Sequence, residues 1–382
     1  MAYDSARQRT VLFGGVAAGD QGGQTVGDTW EWNGEFWTQV SDLGPSARSF
    51  HAMAYDAARA QVVLFGGDLN PRPFAGKNLP SGETWAWDGQ AWTQLADTGP
   101  SPRRSASSMA YDSVRERVVL FGGDVNQDTW EWDGAEWTQT AADGPPRRES
   151  ASLAYDNVRQ RLVLFGGDGA GSFGDTWEFD GNAWTNVAHS GPSGRTDTGM
   201  VFSGSRTILF GGGFAGGGPT LKDTWEWSGK YWTQRQDIGP LDRARHGMVY
   251  DSNRDRIVLF GGATVHPLED VPVVPLNDTW ELPGSALALT ALTVPSPLAS
   301  TGVATVSLSG PSPIGGIVVS VRADVPVEIL EIPDTVFIAE GKTSADFPVK
   351  TTASQGRSPV AASVTAKLGA SSITSGVEIG AP

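Results

Sequence analysis

The feature that most constrains this chain is a phrase it writes six times: an apolar run ending in Phe-Gly-Gly, followed further on by Thr-Trp. The phenylalanines are Phe13, Phe65, Phe121, Phe165, Phe210 and Phe260, spaced 52, 56, 44, 45 and 50 residues apart. A period in the forties to fifties specifies a propeller or another array, in which each unit's apolar face is covered by a like neighbour. Trp30, Trp85, Trp130, Trp177, Trp225 and Trp280 each follow a threonine, and all 15 tryptophans fall in three repeating slots. They belong to the repeat unit, so their first reading is structural.

One unit shows what repeats. Arg48 to Asp56 alternates and ends in a turn, Gln61 to Gly67 is a short apolar run closed by two glycines, Thr84 to Trp87 alternates, and Trp92 to Leu95 completes the unit. That pattern predicts four short strands. Asp88-Gly89 separates the third from the fourth, as do Asn33-Gly34, Asp133-Gly134, Asp180-Gly181 and Ser228-Gly229 elsewhere. Such pairs tolerate the positive φ of tight hairpins. The first hairpin carries Asp-x-x-Arg in five copies, from Asp4/Arg7 to Asp251/Arg254, and the fifth copy replaces it with Phe202-Ser203-Gly204-Ser205-Arg206.

These residues resemble the kelch repeat: an apolar run, a double glycine, and two aromatics at set distances beyond it. The resemblance covers residues 1 to 284 and implies an all-β, six-bladed propeller, with the first strand of each blade lining the channel and the fourth outermost. The function stays open, because such propellers act as lectin-like binders, protein scaffolds and occasionally enzymes. Met1 to Asp4 aligns with the middle of the first strand in other copies, so a preceding segment and a signal peptide are expected upstream. The sixth unit ends at Leu282 without a Trp-Thr-Gln strand. Either Ala286 to Leu289 or an upstream segment is expected to supply it.

Composition changes after residue 284. Residues 285–382 contain no Trp, Tyr or His, and short Val/Ala/Ser/Thr-rich runs alternate between turn signals: Val303 to Leu308, Ile317 to Arg322, Val327 to Ile332, Ala345 to Val349, Ala361 to Leu368 and Ile373 to Ile379. This is enough for one small β-sandwich. It resembles the immunoglobulin-like modules of bacterial surface proteins, which implies a spacer or adhesion role at an extracellular or cell-surface location.

Formal charge is −15. An acidic ring repels phosphate backbones, so nucleic acid is not the expected partner. No apolar stretch approaches the roughly 20 residues that span a bilayer, so no membrane insertion is expected. Cysteine is absent, which removes disulfides and thiolate metal sites.

Function should sit where the repeat is broken. The loops between second and third strands vary in length, and share a face with the connections that carry Gly-Pro and then arginine; variable loops on a rigid scaffold are the usual home of binding. Arg48, Arg104, Arg148, Arg195 and Arg243 recur, and are expected to be structural, pairing with acceptors between blades. Arg103, Arg147 and Arg245 break the pattern and are ligand-contact candidates. So do the carboxylates Asp68, Asp124, Asp168, Glu149 and Asp197, with His51 and His246 in equivalent slots of two blades. Such oxygen-rich groups are candidate calcium ligands, or else each aspartate caps its own turn. Arg72, Phe74, Phe173 and Phe214 add polar and aromatic groups in the loops, the combination a sugar ligand needs, although loop phenylalanines equally serve as local plugs.

Enzyme readings meet specific obstacles. Galactose-oxidase-like proteins, which also join a kelch ring to an immunoglobulin-like domain, need a cysteine-modified tyrosine and a terminal-domain histidine; here there is no cysteine and no histidine after His266. The iron motif of specifier proteins, Glu-x-x-x-Asp-x-x-x-His, meets only Asp242 and His246, with Ile238 in the glutamate slot. No Gly-x-Ser-x-Gly elbow follows a strand and opens a helix. The expected function is a secreted or surface-attached binder of a glycan or protein with no favoured cofactor. The alternative is a calcium-dependent hydrolase, such as an esterase or phosphotriesterase, with its site at the channel mouth.

Overall fold

The computed structural model describes residues 1–17, 23–71, 79–100, 107–123, 126–141, 143–215, 218–235, 239–264, 274–284, 288–298, 300–309, 312, 317–339, 342–351, 359–368 and 371–380. The expected sites Arg72, Phe74, Arg103 and Asp124, and the repeated Arg104, lie outside them. The chain forms two compact units, Met1–Ser285 and Ala286–Pro382. Regular structure among the described residues is all β.

The first unit is a succession of antiparallel sheets, each an in-order meander, as in a propeller. The second repeat is representative: Ala52–Asp56, Gln61–Phe65, Thr84–Trp87 and Trp92–Ala96. Its second strand is buried on both faces, with Val62, Val63 and Leu64 fully covered. A sheet buried on both sides requires a neighbour on each, and the first strands provide the contact. Ala2–Asp4 lies beside Ala52–Asp56, that beside Ser108–Asp112, and so on through Ser152–Asp156, Gly199–Phe202 and Gly247–Asp251, which in turn lies beside Ala2–Asp4.

Two features differ from the sequence expectation. The first strand is shorter than Arg48 to Asp56, because Phe50 has φ 56° and breaks the extended backbone. The sixth sheet has three strands among the described residues, Gly247–Asp251, Arg256–Phe260 and Thr279–Pro283. Of the two segments expected to complete it, the first, Ala286 to Leu289, lies half outside the described residues, and its described end goes elsewhere: Leu289 opens Leu289–Thr293, which pairs with Thr301–Leu308 in the second unit.

That second unit contains two four-stranded antiparallel sheets around one aliphatic core that includes Val306, Val319, Val364 and Phe347. Alternation makes this legible: in Ile317–Ala323 residues 317, 319 and 321 are buried and 318, 320 and 322 exposed. Thr335–Ile338 is a strand outside the expected runs, and Val327 to Ile332 is mostly turn, with only Leu330–Glu331 extended.

Candidate functional site

Four repeats begin with a buried arginine among the described residues, Arg48, Arg148, Arg195 and Arg243, and its partners set the geometry around it. Arg148 is 1% exposed. Its Nη1 donates to the Gly166 carbonyl at 3.0 Å, Nη1 and Nη2 donate to the two Asp175 oxygens at 2.6 and 3.0 Å, and Nε donates to the Pro146 carbonyl at 3.1 Å. Arg195 and Arg243 reproduce this with Asp223 and Asp278, whereas Arg48 makes one such bond, Nη2 to Glu83 at 2.6 Å, and its Nη1 donates to the Gly66 carbonyl and Ser81 Oγ. The same carboxylate accepts the indole N–H two residues on: Trp177 reaches Asp175 at 2.7 Å and Trp280 reaches Asp278 at 2.6 Å. Burial pushes Asp175 up, but the donors from Arg148 and Trp177 outweigh it and hold the carboxyl below its usual range. For Asp278 the Arg243 bonds dominate and take it down to about 2.

These arginines are structural, as expected, but their acceptors lie within their own repeat and not between blades. A bidentate fork needs a planar carboxylate at fixed distance, and the acid just before the third strand of the same sheet provides it. The signal was present in the sequence: the residue before every Thr-Trp is acidic, namely Asp28, Glu83, Asp128, Asp175, Asp223 and Asp278.

Immediately beyond each buried arginine the backbone makes a one-pair ladder to the residue after the double glycine. Ser49 pairs with Asp68, Glu149 with Asp168, Thr196 with Gly213 and Ala244 with Ala263. The next residue is in the left-handed region in four repeats, with φ 56° at Phe50, 55° at Ser150, 55° at Asp197 and 62° at Arg245. Successive members are hydrogen-bonded through the main chain, Asp197 N to Ser150 O and Arg245 N to Asp197 O, both at 3.0 Å. Arg245 Nε also lies 3.4 Å from Asp197 Oδ2, and its guanidinium carbon stands 6.0 Å from the Phe50 ring. Asp197 and Arg245 are thus brought together, at 17% and 48% side-chain exposure, with Phe50 beside them. Phe50 and Ser150 were not singled out in the sequence, since nothing in an isolated Phe or Ser signals a left-handed backbone.

The other candidates go elsewhere. Asp68 is buried, and its Oδ1 accepts the N–H groups of Asn70 and Leu79 at 3.0 and 2.8 Å; it caps its own loop and does not face a ligand. Phe173 stacks on the Arg148 guanidinium at 4.0 Å, a plug over the buried fork and not a ligand platform. Phe214 packs against Gly218 within its own loop, and the neighbouring Ala215 N–H is tied to Ser172 Oγ at 2.7 Å. Glu149 and Asp168 meet through main-chain bonds of 2.9 and 2.7 Å. Arg147 is exposed. Among the described residues, which do not include Asp124, no three His, Asp or Glu side chains gather as metal ligands.

His51 and His246 are wedged between repeats, each edge-on to the phenylalanine of the preceding Phe-Gly-Gly at 5.5 Å, Phe13 and Phe210 respectively. His246 is a core group and not a surface contact, whereas His51 is partly exposed with its Nδ1 buried. His246 is 8% exposed and neither ring nitrogen has a hydrogen-bond partner. Burial, reinforced by the Arg243 charge, pulls its pKa down to about 3, and burial holds His51 well below the usual range too. Gly199 makes the room: a Cβ there would stand 2.5 Å from His246 Nε2.

A propeller of repeated meanders with a recurrent Arg–acid–Trp unit defines a kelch-type binding scaffold. The model of the KLHDC2/KLHL20/DRC7 Kelch-repeats domain matches residues 1–212 and 125–283, and the chain belongs to that family. No curated protein matches it. Among solved structures, a chain in "Crystal structure of Nidogen/Laminin Complex" is similar at 11% identity and a TM-score of 0.40, over 65% of this chain and 94% of that one.

Proposed function

We propose that this chain is a six-bladed propeller that binds a protein ligand at the end of the ring bearing Phe50, Ser150, Asp197 and Arg245. Kelch propeller domains generally mediate protein binding. The observation that carries the site is the left-handed slot. A non-glycine residue there costs on the order of 1–3 kcal/mol, and the residues kept at that cost are an aromatic, a hydroxyl, an acid and a base. The first-hairpin residues Gln8, Ala60, Glu116, Gln160 and Asp255 are left-handed as well, but the slot residues differ from them in being joined across repeats, Asp197 N to Ser150 O and Arg245 N to Asp197 O. Varied side chains gathered at one end of the ring, with Arg245 reaching both Asp197 and Phe50, support a binding role.

In this reading the C-terminal unit is an immunoglobulin-like spacer and the protein works outside the cell. A glycan is the second ligand class, favoured by Phe50 standing beside the Asp197–Arg245 pair, an aromatic plane with polar neighbours.

Site-specific photocrosslinking tests the assignment. A benzoylphenylalanine at Phe50 should capture a discrete protein, and Arg245→Ala should abolish the capture. The same probe at Tyr231, an exposed residue of the turn between third and fourth strands, should not. Equal capture from both positions would place the ligand elsewhere.

A further inference from the structure

The turn between third and fourth strands reads Asp-Gly in three repeats, Asp88-Gly89, Asp133-Gly134 and Asp180-Gly181, and Asn33-Gly34 in the first, the single Asn-Gly of the chain. These turns are built alike. Asn33 Oδ1 accepts the N–H groups of Glu35 and Phe36 at 2.8 and 2.9 Å, as Asp88 Oδ1 accepts those of Gln90 and Ala91, both at 2.8 Å, and Asp133 Oδ1 those of Ala135 and Glu136 at 2.8 and 2.9 Å. Such a turn favours an anion: the Ala91 and Gln90 donors hold Asp88 below its usual range, and those of Glu136 and Ala135 do the same for Asp133. Asn33 meets the same donors with an uncharged amide.

Consecutive repeats also meet at this turn. Arg7, held by Asp4 and Glu31, lies against Gly89 of the second repeat, and Arg254, held by Asp251 and Glu281, lies against Gly34 of the first. A Cβ on Gly89 would stand 2.6 Å from the Arg7 guanidinium carbon, and one on Gly34 2.8 Å from that of Arg254. Arg254 Nη1 also reaches the Gly34 carbonyl at 3.4 Å. The contact between the sixth and first repeats thus has the cation and the backbone donors of its counterpart between the first and second, and lacks the carboxylate.

We propose that Asn33 is a self-modifying site, which deamidates within the folded turn to the aspartate that three other repeats encode. The Gly34 nitrogen attacks Asn33 Cγ and forms a C–N bond; the Cγ–Nδ2 bond breaks, and the Gly34 proton leaves with Nδ2 as ammonia. Water then opens the cyclic imide at Cγ, which restores the Gly34 N–H and leaves a carboxylate. Gly34 has no side chain to obstruct ring closure, and its N–H has no hydrogen-bond partner among the described residues. The Glu35 and Phe36 N–H groups already sit on the oxygen that takes up negative charge when Cγ is attacked, the arrangement of an oxyanion hole. Because they polarise Cγ and not the main-chain carbonyl of Asn33, they direct water to Cγ, toward aspartate and away from isoaspartate. The Arg254 guanidinium adds a positive field at Gly34.

The inference is independent of the protein-binding reading. Its test is to incubate the full chain at neutral pH, folded or unfolded in urea, and to follow the peptide containing Asn33 by mass spectrometry, with aspartate and isoaspartate separated by chromatography. Conversion at Asn33 should be roughly tenfold faster in the folded chain than in urea, a small part of what buried oxyanion donors supply, with aspartate as the main product. Asn33→Asp should raise the melting temperature by roughly 1–2 °C, the worth of an exposed ion contact, and the incubated wild-type chain should drift to the same value. Conversion no faster in the folded chain than in urea, or isoaspartate as the main folded product, would overturn the proposal. So would a melting temperature of Asn33→Asp at or below that of the wild type.

Discussion

The wall between repeats and the slot at the start of each first strand lie within a few residues of each other and obey opposite rules. In the wall, identity is held and the recurrent polar groups are paired in a fixed series: arginine to acid, acid to indole, indole to threonine. In the slot, backbone conformation is held while identity runs through Phe50, Ser150, Asp197 and Arg245. The difference separates what stabilises the ring from what is free to recognise something. Burial makes the wall intolerant, since an unpaired buried donor or charge costs far more than a well-paired one contributes. Exposure makes the slot tolerant, since an ion pair half open to water is worth about 0–1 kcal/mol.

The contrast breaks if wall substitutions prove mild. Trp92 is nine-tenths buried, bonded to Thr29 and packed on Phe13 and Trp87. Trp92→Ala should cost about 3–5 kcal/mol, read as a lower midpoint in denaturant unfolding; a loss under about 1 kcal/mol would show that the wall is not the source of stability.

Acid should attack the wall through its histidines. His246 has a folded pKa of about 3 against an ordinary 6.5. Above pH 6.5 neither state holds the proton and the shift contributes nothing. Below it the unfolded chain takes up the proton and the folded chain does not, so stability falls with pH by up to about 1.4 kcal/mol per unit until the folded pKa is reached. His51 adds a term of the same sign. His246→Thr, the residue the fifth repeat uses at Thr198, should flatten part of this slope in urea titrations between pH 6.5 and 4. An unaltered slope would mean that His246 is not held neutral.

A smaller effect sharpens the comparison by repairing the wall. In the first repeat Glu31 accepts from Arg7 and from Trp87 of the next. The second repeat reads Thr-Trp-Ala, and with Ala86 in that slot the indole nitrogen of Trp132 is buried without a partner. Ala86→Glu should supply the acceptor for Trp132 and a partner for Arg59, and raise stability by about 1 kcal/mol. A destabilised variant would show that the slot is too tight to take the carboxylate.

Sequence made the sheets legible because they are repeated: a strand of Val62-Val63-Leu64 closed by two glycines, written six times, leaves little else to form. The strand-start acid was equally visible, though its partner was not, since Arg148 and Asp175 are separated by a full second strand and loop. The slot was illegible for a different reason. Left-handed backbone has a residue signature only when Gly, Asn or Asp occupies it, and of the four occupants Asp197 alone belongs to that group. His246 was misread as a surface group because its environment is made by Gly199 and Phe210, which belong to another repeat. Phe173 stood open in sequence between ligand platform and local plug, because its stacking partner Arg148 lies far from it along the chain.

Two arginines decide between the accounts most directly. Arg148 and Arg245 lie in the same segment of their repeats, one at the wall and one in the slot. Arg148→Ala leaves Asp175 without its counter-charge, keeping only the Trp177 indole as side-chain donor, and should cost about 3–5 kcal/mol, a fall in melting temperature of roughly 10 °C for a unit of this size. Arg245→Ala should move the melting temperature by no more than about 2 °C. Comparable losses from the two would contradict the division between a wall that folds the ring and a slot that is free to bind.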